Sequence, residues 1–261
     1  MRTNLYLDRN TFVHRLHPTV KVFALFAMFW SVYWVDYPPA LVPLGIFMLC
    51  VAQLTGAWPN FYLFRWLFML TVFTTTLTWM ISFRGGAPIV SIPFFHVSRA
   101  SIEYGLGRGM KLAELIAASV LFLSTTKVEE LTIGLRRLGV PYRACFAISL
   151  AFRLVPLFVD SALTIVDAQT LRGYDFSKGG FFERIKRYVP VMVPVFMGAL
   201  RKANNMAMAL EARAFGRTSE PTTYIDYPVL GSDVVAFATL LAVGTLYFLI
   251  YYTGRGAISL K

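Results

Sequence analysis

The chain is 261 residues long, with 57% apolar, 16% aromatic and only 15% charged residues, where ordinary soluble domains run about 25% charged. That balance excludes a soluble domain and implies an all-α, polytopic integral membrane protein. A net charge of +11 would suggest nucleic acid as partner in a soluble chain, but here the side of the bilayer on which the charges fall carries the information, and no nucleic-acid partner is expected.

Residues 1–19 hold Arg2, Arg9, His14, Arg15 and His17 without the apolar core of a signal peptide, so the amino terminus is expected to persist in the mature chain. A hydrocarbon core about 30 Å thick needs roughly 20 helical residues, and five segments approach that length. Val20 to Val35 stops at Asp36-Tyr37-Pro38-Pro39, and Ala40 to Trp58 returns to a turn at Trp58-Pro59-Asn60. Phe61 to Phe83 carries Arg65 one turn in, within reach of the headgroups. The fourth span is the weakest: Leu112 to Thr126 is short, and extending it takes in Glu103, Arg108 and Lys111, which then require a protein-facing side. Val234 to Tyr252 is uniformly apolar and ends on two interfacial tyrosines. Arg2, Arg9, Arg15, Lys21, Arg65 and the basic residues of Lys127 to Arg217 are expected on one side, against Arg84, Arg99, Arg255 and Lys261 on the other, so the amino terminus is expected in the cytoplasm and the carboxyl terminus outside.

Lys127 to Gly231 is too long for a connection and reads as a helical cytoplasmic segment. Glu129-Glu130 opens a short amphipathic helix that stops at Gly139-Val140-Pro141. Tyr142 to Leu171 follows, with a bend expected at Pro156, and ends at Arg172-Gly173. After Gly179-Gly180, a methionine-rich helix from about Pro190 runs to Ala214 and ends at Ala212-Arg213-Ala214-Phe215-Gly216. Both long helices thus finish on an arginine with a glycine at or just beyond it. Helices this apolar require a covering surface: the inner leaflet, the spans or another protein. The chain divides accordingly into residues 1–126, residues 127–230, and a last span with its tail, residues 231–261.

Taken together, His17-Pro18-Thr19-Val20-Lys21, Thr125-Thr126-Lys127-Val128-Glu129-Glu130-Leu131, Leu138-Gly139-Val140-Pro141, Phe152-Arg153-Leu154-Val155-Pro156, Asp167-Ala168-Gln169-Thr170-Leu171-Arg172-Gly173 and Leu210-Glu211-Ala212-Arg213-Ala214-Phe215-Gly216 resemble the transmembrane T component of energy-coupling factor (ECF) type ABC transporters, prokaryotic importers of vitamins and transition-metal ions. His17 departs from the family's usual aspartate, and the two tripeptides read Leu-Arg-Gly and Ala-Arg-Ala, each keeping its central arginine. The resemblance implies that Leu171, Arg172, Gly173, Ala212, Arg213 and Ala214 are the ATPase-coupling residues. It also implies two cytoplasmic ABC ATPase subunits and a substrate-binding membrane S component as partners, within the prokaryotic inner membrane. No cofactor, metal site or enzymatic activity is expected of this chain itself. Independently of the resemblance, a guanidinium suits such a grip, because it stays charged and offers a fixed fork of donors.

An enzyme would need groups that are missing: there is no phosphate loop, nucleophile elbow or His pair, and Cys50 and Cys145 lie apart in apolar stretches. Gly105, Gly107 and Gly109 follow no strand and are expected to serve close helix packing. A secondary transporter or channel using Arg108, Lys111 and Glu114 is the alternative; against it, Lys111 and Glu114 are spaced to satisfy one another on one helix face.

Overall fold

A computed structural model describes residues 6–7, 9, 11–82, 88–92, 95–176, 180–217 and 230–253. It resolves into two compact units, Met1–Gly139 with Tyr227–Lys261, and Val140–Asp226. The first contains α1 (Pro18–Tyr33), α2 (Pro38–Thr55), α3 (Trp58–Leu63), α4 (Arg65–Ser82), α5 (Arg99–Thr125), α6 (Val128–Arg137) and the last helix, α9 (Gly231–Tyr252); the second contains α7 (Tyr142–Leu171) and α8 (Phe181–Ala212). The helical class holds, with one small addition: β1 (Pro88–Ile92) pairs antiparallel with β2 (Phe95–Ser98), Ser91 opposite His96.

Local chemistry sets the helix boundaries. Pro38-Pro39 open α2, where a missing N–H does no harm, and Gly56 closes it at φ 66. The third expected span is divided at Phe64 into α3 and α4. The fourth is the longest in the first unit, continuous from Arg99, because Ser98 and Ser101 cap its start reciprocally. In the second unit, α8 begins at Phe181 rather than near Pro190 and runs through both Pro190 and Pro194; α7 likewise contains Pro156.

In the first unit α5 packs against α1, α2, α3 and α4, while α1 also packs against α6 and α9. Val32, Val35, Leu41, Leu44, Met48, Ala52, Ala118, Leu121 and Tyr247 form the core. The glycines of α5 permit that packing: a Cβ at Gly105 would lie 2.8 Å from the Thr76 carbonyl oxygen, and one at Gly107 would lie 2.1 Å from that of Asp36. Among the described residues, α2, α7 and α9 are long and apolar enough to cross a membrane, and α1 is a shorter apolar helix.

Candidate functional site

The two arginine-bearing ends have one geometry. At the end of α7, Gly173 takes φ +88; its N–H donates to the Thr170 carbonyl at 2.9 Å and that of Tyr174 to Gln169 at 3.1 Å. At the end of α8, Ala214 takes φ 56; its N–H donates to the Glu211 carbonyl at 2.8 Å and that of Phe215 to Leu210 at 2.9 Å. Both are Schellman closures, in which a left-handed residue lets the chain return to the last open carbonyls. The departure from glycine at Ala214 is therefore one of residue type and not of conformation. Arg172 and Arg213 occupy the equivalent capping position, both exposed, with no hydrogen bond or ion pair recorded for either guanidinium among the described residues. Leu171, which precedes Arg172, is 90% exposed. Phe215 packs on Phe146, centroids 4.3 Å apart, near the start of α7, whereas Arg172 caps its end, so at most roughly 40 Å of helix separates the two tips.

The early motif forms a second site. His17 is the N-cap of α1, and its Nδ1 accepts from Thr19 N at 3.2 Å. An imidazole whose proton sits on Nε2 thus does the capping an aspartate would do. Lys21, 4% exposed, uses all three ammonium donors: to Glu130 Oε2 at 2.6 Å, the His14 carbonyl at 2.8 Å and the Thr125 carbonyl at 3.1 Å. The His17–Lys21 and Thr125–Leu131 motifs, far apart in sequence, therefore meet in one buried ion pair. Asp233, buried in the first turn of α9, accepts from His17 N at 2.8 Å and Leu230 N at 2.7 Å, a favourable place for a carboxylate at a helix N-terminus. Beside them, burial first and the Lys21 ammonium second push the His14 imidazole below its ordinary value, against smaller opposing pulls from the backbone of Ser124 and Leu7 and from Glu130.

At the other end of α1 the expected Lys111–Glu114 pair does not form. Lys111 Nζ donates to Asp36 Oδ1 at 2.9 Å and to the Tyr33 carbonyl at 2.5 Å, and Arg108 Nη2 lies 3.3 Å from Asp36 Oδ2. A carboxylate on the α1–α2 turn bonds to both cations across the bundle, which a neighbour on the same helix cannot match once α5 is packed. Glu114 is buried instead, its Oε1 lying toward Gly45, with no partner for Oε2 among the described residues. In the sequence Lys21 and Glu130 stand in two of the motifs that carry the resemblance, without a pairing between them, Asp36 stands in a turn, and Asp233 carries no expectation. The available signal was that a charge at the edge of an apolar run needs a partner, but not which partner. Among the described residues, no three His, Cys, Asp or Glu side chains group as metal ligands.

The chain matches the profile of the CbiQ family, described as cobalt transport protein, over residues 9–225. It is 30% identical over 255 residues to the energy-coupling factor transporter transmembrane protein EcfT of Bacillus selenitireducens, covering 92% of this chain and 94% of the relative. The EcfT protein of Leuconostoc gelidum subsp. gasicomitatum is 29% identical over 94% of this chain and 95% of its own length, and that of Bacillus subtilis is 28% identical over 93% and 95%. With both terminal arginine motifs inside the matched region and the early motif forming a buried node, the chain belongs to the CbiQ family as an EcfT/CbiQ-like transmembrane T component of energy-coupling factor transporters.

Proposed function

We propose that this chain couples ATP hydrolysis in two cytoplasmic ATPase subunits to the movement of a substrate-capturing S component in the inner membrane, for uptake of a vitamin or a transition-metal ion. The observation that carries the reading is the pair of exposed arginines held on identically closed helix ends, neither guanidinium having a partner among the described residues. Arg172 closes the far end of α7 while Phe215, two residues from Arg213, packs on Phe146 near its start, so the tips stand toward opposite ends of one helix, which suits one partner domain per tip. Helix α7 is apolar enough to cross a bilayer, but Arg153, Asp160 and Asp167 are exposed along it, and charges at such spacing are costly in hydrocarbon. We therefore keep it, with α8, as cytoplasmic coupling helices, leaving α1, α2, α3 with α4, α5 and α9 as the five spans. Against the carrier alternative, two of its three groups, Arg108 and Lys111, are both engaged by Asp36.

The test is co-purification of the ATPases with Arg172→Glu, Arg213→Glu and the double variant from detergent-solubilised membranes. Each single change reduces the bound ATPase, and the double change reduces it further, because the second grip acts at high effective concentration while the first holds. Wild-type ATPase recovery with the double variant refutes the reading.

A further inference from the structure

The chain leaves the first unit at Gly139 and returns to it at Tyr227. On the departure side the last helix is α6, and on the return side the first helix described is α9. Both are fastened to the same short stretch at the start of α1. On α6, Glu130 takes the Lys21 ammonium at 2.6 Å, and Gly134 approaches so closely that a Cβ there would stand 3.0 Å from the Pro18 carbonyl oxygen and 2.8 Å from Val22 Cγ2. On α9, Asp233 takes the His17 N–H at 2.8 Å.

We propose that the first turn of α1 is the anchor through which motion of the coupling helices enters the membrane-embedded unit, with Lys21, Glu130 and Asp233 as positioning residues. This rests on the coupling reading above and goes beyond it by assigning the receiving element. The physical ground is stiffness. A pull arriving along α6 is passed on by whichever contacts yield least, and a buried, charge-assisted pair with every ammonium donor satisfied is a stiff contact. The missing side chain at Gly134 brings two backbones into direct contact beside it, so α6 has little room to slide on α1. Helix α1 in turn packs on α5 and α9, so its displacement is felt across the first unit. Because α6 and α9 are both fastened to His17–Lys21, a movement passed along α6 acts on a point shared by two helices of the body.

The experiment uses the complex of this chain with its co-expressed partners, reconstituted in nanodiscs, with Cys50→Ser and Cys145→Ala as background. Hydrogen exchange of the segment 17–24 is compared without nucleotide and with ATP plus vanadate. Three forms are measured: the background protein; Lys21→Met with Glu130→Gln, which leaves no lone buried charge; and that variant carrying Val22→Cys and Gly134→Cys. A Cβ at position 134 stands 2.8 Å from Val22 Cγ2, the place a cysteine sulfur at position 22 can take, which is close to the roughly 3 Å between one Cβ and the far sulfur that an S–S bond of about 2.05 Å sets. The proposal expects a nucleotide-dependent change in the background protein. That change shrinks about tenfold in the uncharged variant, as for loss of one charge-assisted contact. It returns in the oxidised cysteine form and disappears again on reduction. A merely structural role would lower stability without this redox-reversible response. The proposal is overturned if the background segment does not respond although ATPase is bound and turning over, or if the uncharged variant responds fully. Should the uncharged variant fail to assemble, Val22→Cys with Gly134→Cys on the background that keeps Lys21 and Glu130 decides instead: no nucleotide-dependent response when oxidised overturns the proposal. Absence of any ATPase from the background complex is a separate result, and it removes the coupling reading itself.

Discussion

Ala214 is the only non-glycine residue with a positive φ among those described, at 56°, and it tests whether the end of α8 is closed as drawn. An L-residue in the left-handed region costs roughly 1–2 kcal/mol. Replacement by glycine removes that cost, but glycine's greater freedom in the unfolded chain takes back roughly 0.5–1 kcal/mol. Ala214→Gly is therefore expected to stabilise the helix end by about 0.5–1 kcal/mol, a roughly two- to fivefold shift in its fraying equilibrium. Gly173→Ala is the mirror experiment. Nothing lies within 4 Å of the position a Cβ would take there, so the methyl group meets no obstacle and only the backbone penalty remains. Native-state hydrogen exchange reads both changes at the closing amides. Those of Ala214 and Phe215, bonded to Glu211 and Leu210, slow by that factor in Ala214→Gly. Those of Gly173 and Tyr174 exchange correspondingly faster in Gly173→Ala. Unchanged or faster exchange at residues 214–215 in Ala214→Gly refutes the left-handed closure, and with it the equivalence of the two arginine ends.

Three further outcomes follow from the first unit. Gly107→Ala places a methyl group 2.1 Å from the Asp36 carbonyl oxygen, a backbone atom that cannot step aside, and is expected to cost about 2–3 kcal/mol. Gly45→Ala meets only the movable Glu114 carboxylate at 3.2 Å and is expected to be milder in the same detergent thermal-unfolding assay; the reverse order would contradict the packing described. Asp36→Ala takes the carboxylate from both Arg108 and Lys111, leaving them only neutral acceptors, and is expected to lower stability by about 2 kcal/mol, whereas Lys111→Met leaves Asp36 its Arg108 partner and costs less, measured again by unfolding. Docking of the segment around His14 is expected to weaken on acidification. Its folded pKa lies below 6.5, so between that value and 6.5 the undocked segment binds the extra proton. Stability is therefore full above about pH 6.5 and falls as pH drops toward the folded value. Limited proteolysis between pH 7.5 and 5.5 reads the change, and a His14→Gln variant should lose the pH dependence.

The positions of most helices, the helix ends at Pro38-Pro39, Gly139 and Gly173, the close-packing glycines of α5 and the two arginines at helix ends were legible in the sequence. Each depends on chemistry within a few residues: hydropathy over a stretch, the missing N–H of proline, the freedom of glycine at positive φ. Which charge meets which was not legible. Lys111 and Glu114 have the spacing of a helical pair, yet Lys111 bonds to Asp36 across the bundle, and Lys21 finds Glu130 on another helix. Spacing along one helix only makes a contact available; the packing of α5 on the α1–α2 turn, and of α6 on α1 through Gly134, decides which carboxylate is close enough to bond. Ala214 shows the same limit at short range, for alanine rarely takes the left-handed form and only the closing hydrogen bonds of α8 put it there.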